Sequence, residues 1–228
     1  MRTFDDEISW VVVRKDLRHT RATLKASGAH APALKAIQKL LDRWYVLNQE
    51  IIAAEDAVVD SHALVGWSDD VLDVRVGVFA RDVDHSVGGD RTHRNFVSFF
   101  PQSPGEVIRL GLESEIAQTA HFDHVARAIK LPKEAQESLR GVGEARAAGT
   151  VALHDREESV KSEALTRLRV RQVKDDANAV RRAVYNGIER HAIEHGLGGE
   201  YVGRFFLMAP NRRAKAKSAA APTGPKPV

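Results

Sequence analysis

Apolar residues recur at alternating spacings of four and three from Ala33 to Val58, through Ile37, Leu40, Trp44, Leu47, Ile51 and Ala54. That period is the signature of a long helix with one buried seam of the heptad type. Upstream, residues 5–27 read as a helix that starts near Asp5 or Asp6 and stops at Gly28, although the β-branched run Ile8–Val13 opposes it. Pro32 suits the first turn of the long helix. The seam loses phase around residues 61–68. There Gly66 and Ser68 predict a turn, with Ser68 capping a second helix that carries Trp67, Val71, Val74 and Val78; a bent continuous helix is the alternative. Val87-Gly88-Gly89-Asp90 ends this segment.

Ser103-Pro104-Gly105-Glu106 is the strongest local start signal in the chain. A serine at the cap, glutamate three residues later and proline at the first helical position predict a helix to about residue 129. Leu131-Pro132 breaks it and starts another. This last helix carries a stripe of small residues, Gly141, Ala145, Ala148 and Ala152, that Trp44, Leu47 and Ile51 are expected to face. It continues, with a kink or turn expected near 162–168, to Gly196-Leu197-Gly198-Gly199.

A shift of 106 residues aligns two parts of the chain. Asp69-Asp70 meets Asp175-Asp176, Val74-Arg75 meets Val180-Arg181, Val78 meets Val184, His85 meets His191, Phe99-Phe100 meets Phe205-Phe206, and Pro104 meets Pro210. Phe79 faces Tyr185 in the same register. Nine ungapped identities stand where unrelated sequence gives roughly two. The expected fold is therefore all-α: an elongated bundle of about six helices in two pseudo-symmetric, internally duplicated halves. Residues 1–102 form the first half, 103–210 the second and 211–228 a disordered basic tail. Each Phe-Phe pair is expected to fold back as an apolar clasp over its own hairpin.

Composition narrows the chemistry. With no Cys, a disulfide framework, a thiol nucleophile and cysteine metal sites are excluded. The start, Met-Arg-Thr-Phe-Asp-Asp-Glu, is too acidic for a signal peptide, and no apolar run reaches the length of a membrane span, so the cytoplasm is the expected location. The net charge of +3 hides a tail with five basic residues and no acid, which leaves residues 1–210 at −2 and reads as a nearly neutral body.

Two features carry candidate chemistry. His191-Ala192-Ile193-Glu194-His195 resembles the H-x-x-E-H pattern of inverzincin metallopeptidases, which would place zinc on His191 and His195. Only Glu200 remains downstream as a further acid, and two histidines in the last turn before Gly196 equally suit a helix C-terminus. His85, His121 and His124 complete the histidines a helical metal centre would draw on, yet the chain has no Glu-x-x-His pair of the kind that marks such centres in bundles. The tail, with Arg212, Arg213, Lys215 and Lys217, resembles in composition those of bacterial nucleoid-associated proteins, whose lysines neutralise phosphates. No catalytic constellation stands out and no cofactor is expected. The leading expectation is a non-enzymatic helical interaction or scaffold protein that meets a protein partner or itself through its helical surface, the heptad seam first. Nucleic-acid association through the tail is the alternative, and a metal-binding helical enzyme is third.

Overall fold

The computed structural model describes Phe4 and residues 8–207, and all its regular structure is α-helical. Among these residues there are six helices longer than one turn: α1 (Trp10–Ser27), α2 (Ala31–Ser86), α3 (Arg94–Phe99), α5 (Leu112–Thr119), α6 (Phe122–Ala128) and α7 (Lys133–Glu194). Two single turns, α4 (Pro104–Val107) and α8 (Glu200–Gly203), complete the order. No described helix is long and apolar enough to cross a membrane. Asp5 and Asp6, Pro210 and the whole of 211–228 lie outside the described residues.

Several elements differ from their sequence-based expectation. The first helix starts at Trp10, after an extended Ser9 that makes no side-chain cap bond, and ends as expected at a left-handed Gly28 with φ of 67°. Residues 31–86 are one helix, without a turn at Gly66. The seam keeps its phase there because Ser61 and Ser68 occupy two of its buried positions. Ser61 satisfies its hydroxyl inside the helix by donating to the Val58 carbonyl (2.9 Å), and its oxygen lies 2.7 Å from that of Ser159. A buried serine that bonds its own preceding turn leaves the helix intact while removing the apolar signal. Through 162–168, too, α7 runs unbroken.

The segment 103–129 is three helices and not one. The capping box forms as expected, with Glu106 Oε2 accepting from the Ser103 N–H at 2.8 Å, but its helix stops at Val107. Gly111 then turns extended and starts α5, and a further break precedes α6. Leu112, Glu115 and Thr119 of α5 and Phe122 of α6 are all buried. Carbonyls released at the end of α5 are satisfied from outside it: Arg146 Nη1 donates to Thr119 O at 2.8 Å.

The chain divides into two compact units that are not consecutive halves. Unit 1 holds residues 1–50 and 166–228; unit 2 holds 51–165. In unit 1, α2 and α7 run antiparallel, with Arg43 pairing Asp176 at 2.9 Å and Glu50 pairing Arg169 at 2.6 Å. The core is Leu17 and Leu24 of α1, Ile37, Leu40, Trp44 and Leu47 of α2, and Val173, Val184 and Ile188 of α7. Trp44 stacks on Trp10 (centroids 3.4 Å) and not on the small-residue stripe. The heptad seam from Ile37 to Leu47 is thus already covered within the chain.

In unit 2 the same two helices are again antiparallel, with Ser61 beside Ser159 and Arg75 beside Gly141. Of the expected stripe, Ala145 and Ala152 are buried, Gly141 is half-buried and Ala148 is exposed, while Gly149 is buried beside them. A Cβ on Gly149 would lie 2.9 Å from Leu112 Cδ1 and 3.1 Å from Ile116 Cδ1, so it is α5 that uses this stripe. The clasp forms around Phe79, whose ring meets those of Phe99 (5.1 Å), Phe100 (5.9 Å) and Phe122 (5.3 Å). Its counterpart in unit 1 pairs Tyr185 with Phe206. The register-equivalent pairs Phe79–Phe100 and Tyr185–Phe206 have nearly one geometry, 5.9 Å at 46° and 5.7 Å at 43°.

Candidate functional site

The exposed side of α1 follows from its sequence. Val13, Leu17, Thr20 and Leu24 turn inward, and among the exposed positions are Val11, Arg14, Lys15, Arg18, Ala22 and Lys25. These fall within an arc of about 100° at the helical period. The four cations share the face with no acid, because the one described carboxylate of α1, Asp16, is buried on the opposite side. None of the four pairs with a carboxylate among the described residues. Two open grooves flank this ridge. One, of about 1130 Å³, is lined by Arg21, Lys25, Lys35 and Lys39; the other, of about 560 Å³, by Arg14, Lys15, Arg18 and Arg21.

Sorting charge by unit divides the nearly neutral body into two parts of opposite sign. Unit 1 contains 22 Lys and Arg against 11 Asp and Glu, a net of +11, of which the tail supplies +5. Unit 2 contains 12 against 20, a net of −8. Over residues 1–210 the two nearly cancel. The reason is topological: unit 1 is assembled from both ends of the chain, so no sequence window collects its charge.

Each unit also buries charge, by different means. In unit 1, Arg181 is fully buried and its Nη2 lies 2.5 Å from Asp16 Oδ2. Its guanidinium carbon stands 4.2 Å from the Phe4 ring centroid and 5.6 Å from that of Phe206. Asp16 also accepts the Leu207 N–H at 3.1 Å, which ties the end of the Phe-Phe segment to α1. Phe4 is held by Asn178, which donates to its carbonyl at 2.6 Å and accepts its N–H at 2.8 Å.

In unit 2, Glu115 is fully buried and both its carboxylate oxygens lack an N–H or O–H donor among the described residues. Its neighbours are Asp73 and, beyond it, Asp69. Burial first, then the Asp73 charge, then a carboxyl–carboxyl hydrogen bond with Asp73, push Glu115 up to about 8. Two carboxyls can bond only through a shared proton, so Glu115 is the protonated partner at neutral pH. Asp73 and Asp69 are also raised, chiefly by burial.

The histidines divide between the units. His191 and His195 stack in unit 1 (4.0 Å), and His30 lies edge-on to His191 at 4.7 Å with its Nε2 3.2 Å from the Tyr201 hydroxyl. Burial, then the neighbouring His191, lower the His30 pKa. In unit 2, His85 and His124 are exposed, whereas His121 faces the Gln118 carbonyl with Nδ1 (2.6 Å) and the Phe99 carbonyl with Nε2 (2.9 Å). His121 thereby packs between the end of α5 and the Phe-Phe segment. Among the described residues no group of three or more His, Asp or Glu has the geometry to hold a metal ion. Arg212, Arg213, Lys215 and Lys217 lie outside the described residues.

Sequence reasoning missed the α1 ridge, Asp16–Arg181, Glu115 and His30. The ridge was readable as a helix whose exposed positions are all basic or small. The buried groups were not, because nothing local distinguishes Glu115 from the glutamates around it. No family model, no curated protein and no solved structure matches this chain.

Proposed function

We propose that this is a non-enzymatic helical interaction protein that takes nucleic acid on the basic side of unit 1. The observation that carries this reading is the α1 ridge: Arg14, Lys15, Arg18 and Lys25 on one exposed face without an intervening acid, in a unit of net +11. Phosphates are bound through such charge, which releases condensed counterions and makes binding steeply salt-dependent. The tail residues Arg212, Arg213, Lys215 and Lys217 supply four of those charges. An isolated tail of five cations would hold nucleic acid weakly; a helix face beside it supplies a fixed row of contacts. The face carries no aromatic ring for stacking on bases, so the reading is of phosphate contact without sequence choice.

A gel-shift series on duplex DNA tests it, with the full chain, a chain lacking 211–228, and the fourfold variant R14E/K15E/R18E/K25E. Binding at ~50 mM salt should fall by about 10²-fold or more at ~200 mM for four to six phosphate contacts. Loss of the tail should weaken binding and reversal of the face should abolish it. Binding that ignores both changes, or no binding at the lower salt, rejects the proposal.

A further inference from the structure

We infer that the outer face of α2 in unit 2 is a docking surface for the basic α1 face of a second copy of this chain. This goes beyond nucleic-acid binding and does not depend on it, although the two would compete for α1.

The α2 face consists of Ile52, Asp56, Val59, Asp60, Ala63, Trp67, Asp70 and Val74, all exposed and all within an arc of about 100°. Trp67 is 68% exposed, Val59 67% and Val74 64%, an unusual cost for apolar side chains on one stripe of a helix. No Lys, Arg or His stands on this face. The inner seam of the same helix is filled, so the stripe is not surplus core.

The α1 face of unit 1 is its complement. It carries four cations against the three aspartates of the α2 face, and shares its arc with Val11, which is 77% exposed, and Ala22. Lys15 and Lys25 are ten residues apart, as are Asp60 and Asp70, so each pair spans about 15 Å of helix. In the antiparallel register that sets Lys15 against Asp70 and Lys25 against Asp60, Arg18 comes opposite Trp67. Aligned along α2, lysine and arginine stems would cover Val59 and Trp67 while their heads reach the aspartates, and a cation can lie over the Trp67 ring. Like charges oppose pairing of α1 with α1 or of α2 with α2. The contact is therefore heterologous: each chain offers one donor face and one acceptor face, so association can continue beyond two copies.

Sedimentation velocity of the full chain without nucleic acid, over a range of protein concentration, tests the inference. Assemblies should form at ~50 mM salt and dissolve at ~500 mM, where screening is nearly complete over the contact. R14E/R18E and D60K/D70K should each be monomeric alone. Mixed in equal amounts they should associate again, because each supplies the face the other lacks. All four positions are exposed, and wild-type helicity by circular dichroism is read on each variant. A wild-type chain that stays monomeric at low salt overturns the inference. So does association that survives either reversal, or a mixture of helical variants that stays monomeric.

Discussion

Both units set an aromatic residue of a long helix against a Phe-Phe segment, yet they treat buried charge in opposite ways. Unit 1 neutralises Asp16 with Arg181 and wraps the guanidinium in Phe4 and Phe206. At the register-equivalent place unit 2 also has an arginine, Arg75, but that side chain is exposed and lies against Gly141. Its buried acid, Glu115, has only other carboxyls for company and is kept neutral by a proton. The lesson is that a shared helical frame does not dictate how an interior charge is satisfied. An ion pair and a proton are both solutions, and they respond to different variables: one to substitution, the other to pH.

The largest effect should come from breaking the ion pair. Arg181→Met leaves Asp16 buried without its cation and should cost about 3–5 kcal/mol. The same substitution at the exposed Arg75 should cost under ~1 kcal/mol. Urea denaturation of the two variants measures the difference, and equal losses would remove the contrast between the units.

Next comes pH. The Glu115 carboxyl has a folded pKa of about 8 against about 4.3 in an unfolded chain. The folded state therefore holds a proton that the unfolded state releases between those values. Stability is full below the unfolded pKa and is lost as pH rises toward the folded one, with a slope of at most about 1.4 kcal/mol per pH unit from this group. Glu115→Gln should flatten the decline in melting temperature between about pH 5 and pH 8, while Asp73 and Asp69 leave a smaller slope of the same sign. A decline of equal steepness in the variant would assign the pH response elsewhere.

Smaller still is the contrast between two glycines of α7. Gly149 in unit 2 lies under Leu112 and Ile116, and Gly187 in unit 1 has nothing within 4 Å of an added Cβ. Gly187→Ala should raise stability by up to about 1 kcal/mol through helix propensity. At Gly149 the same change should lower it by ~1 kcal/mol, since overpacking outweighs that gain. Thermal melts of the two variants would show opposite signs.

The smallest effect concerns helix starts. Ser103→Ala removes a formed capping box and should cost about 1 kcal/mol, whereas Ser9 makes no side-chain cap bond and Ser9→Ala should be near neutral. A thermal melt of each variant reads this too, and comparable losses would mean that Ser9 caps α1 in solution.

What the sequence determined by itself was whatever depends on near neighbours. The helical class, the stop at Gly28, the capping box at Ser103 and the break at Pro132 follow from propensity, capping and backbone restriction, which act over a few residues. The clasp was legible in the same way, because an apolar pair after a glycine break has one place to go. The alignment of Asp69–Pro104 with Asp175–Pro210 was also visible in the residues alone. Local rules failed where polar residues sit on a buried seam: Ser61 and Ser68 looked like a turn because their burial depends on Ser159 and on packing, not on their neighbours.

Tertiary structure decided the rest, since it brings together residues far apart in the chain. It joined residues 1–50 to residues beyond 165, and so divided a nearly neutral body into parts of +6 and −8. It set Asp16 against Arg181, and Glu115 against Asp73. Charge and burial are properties of a place in space, and a sequence lists residues in another order.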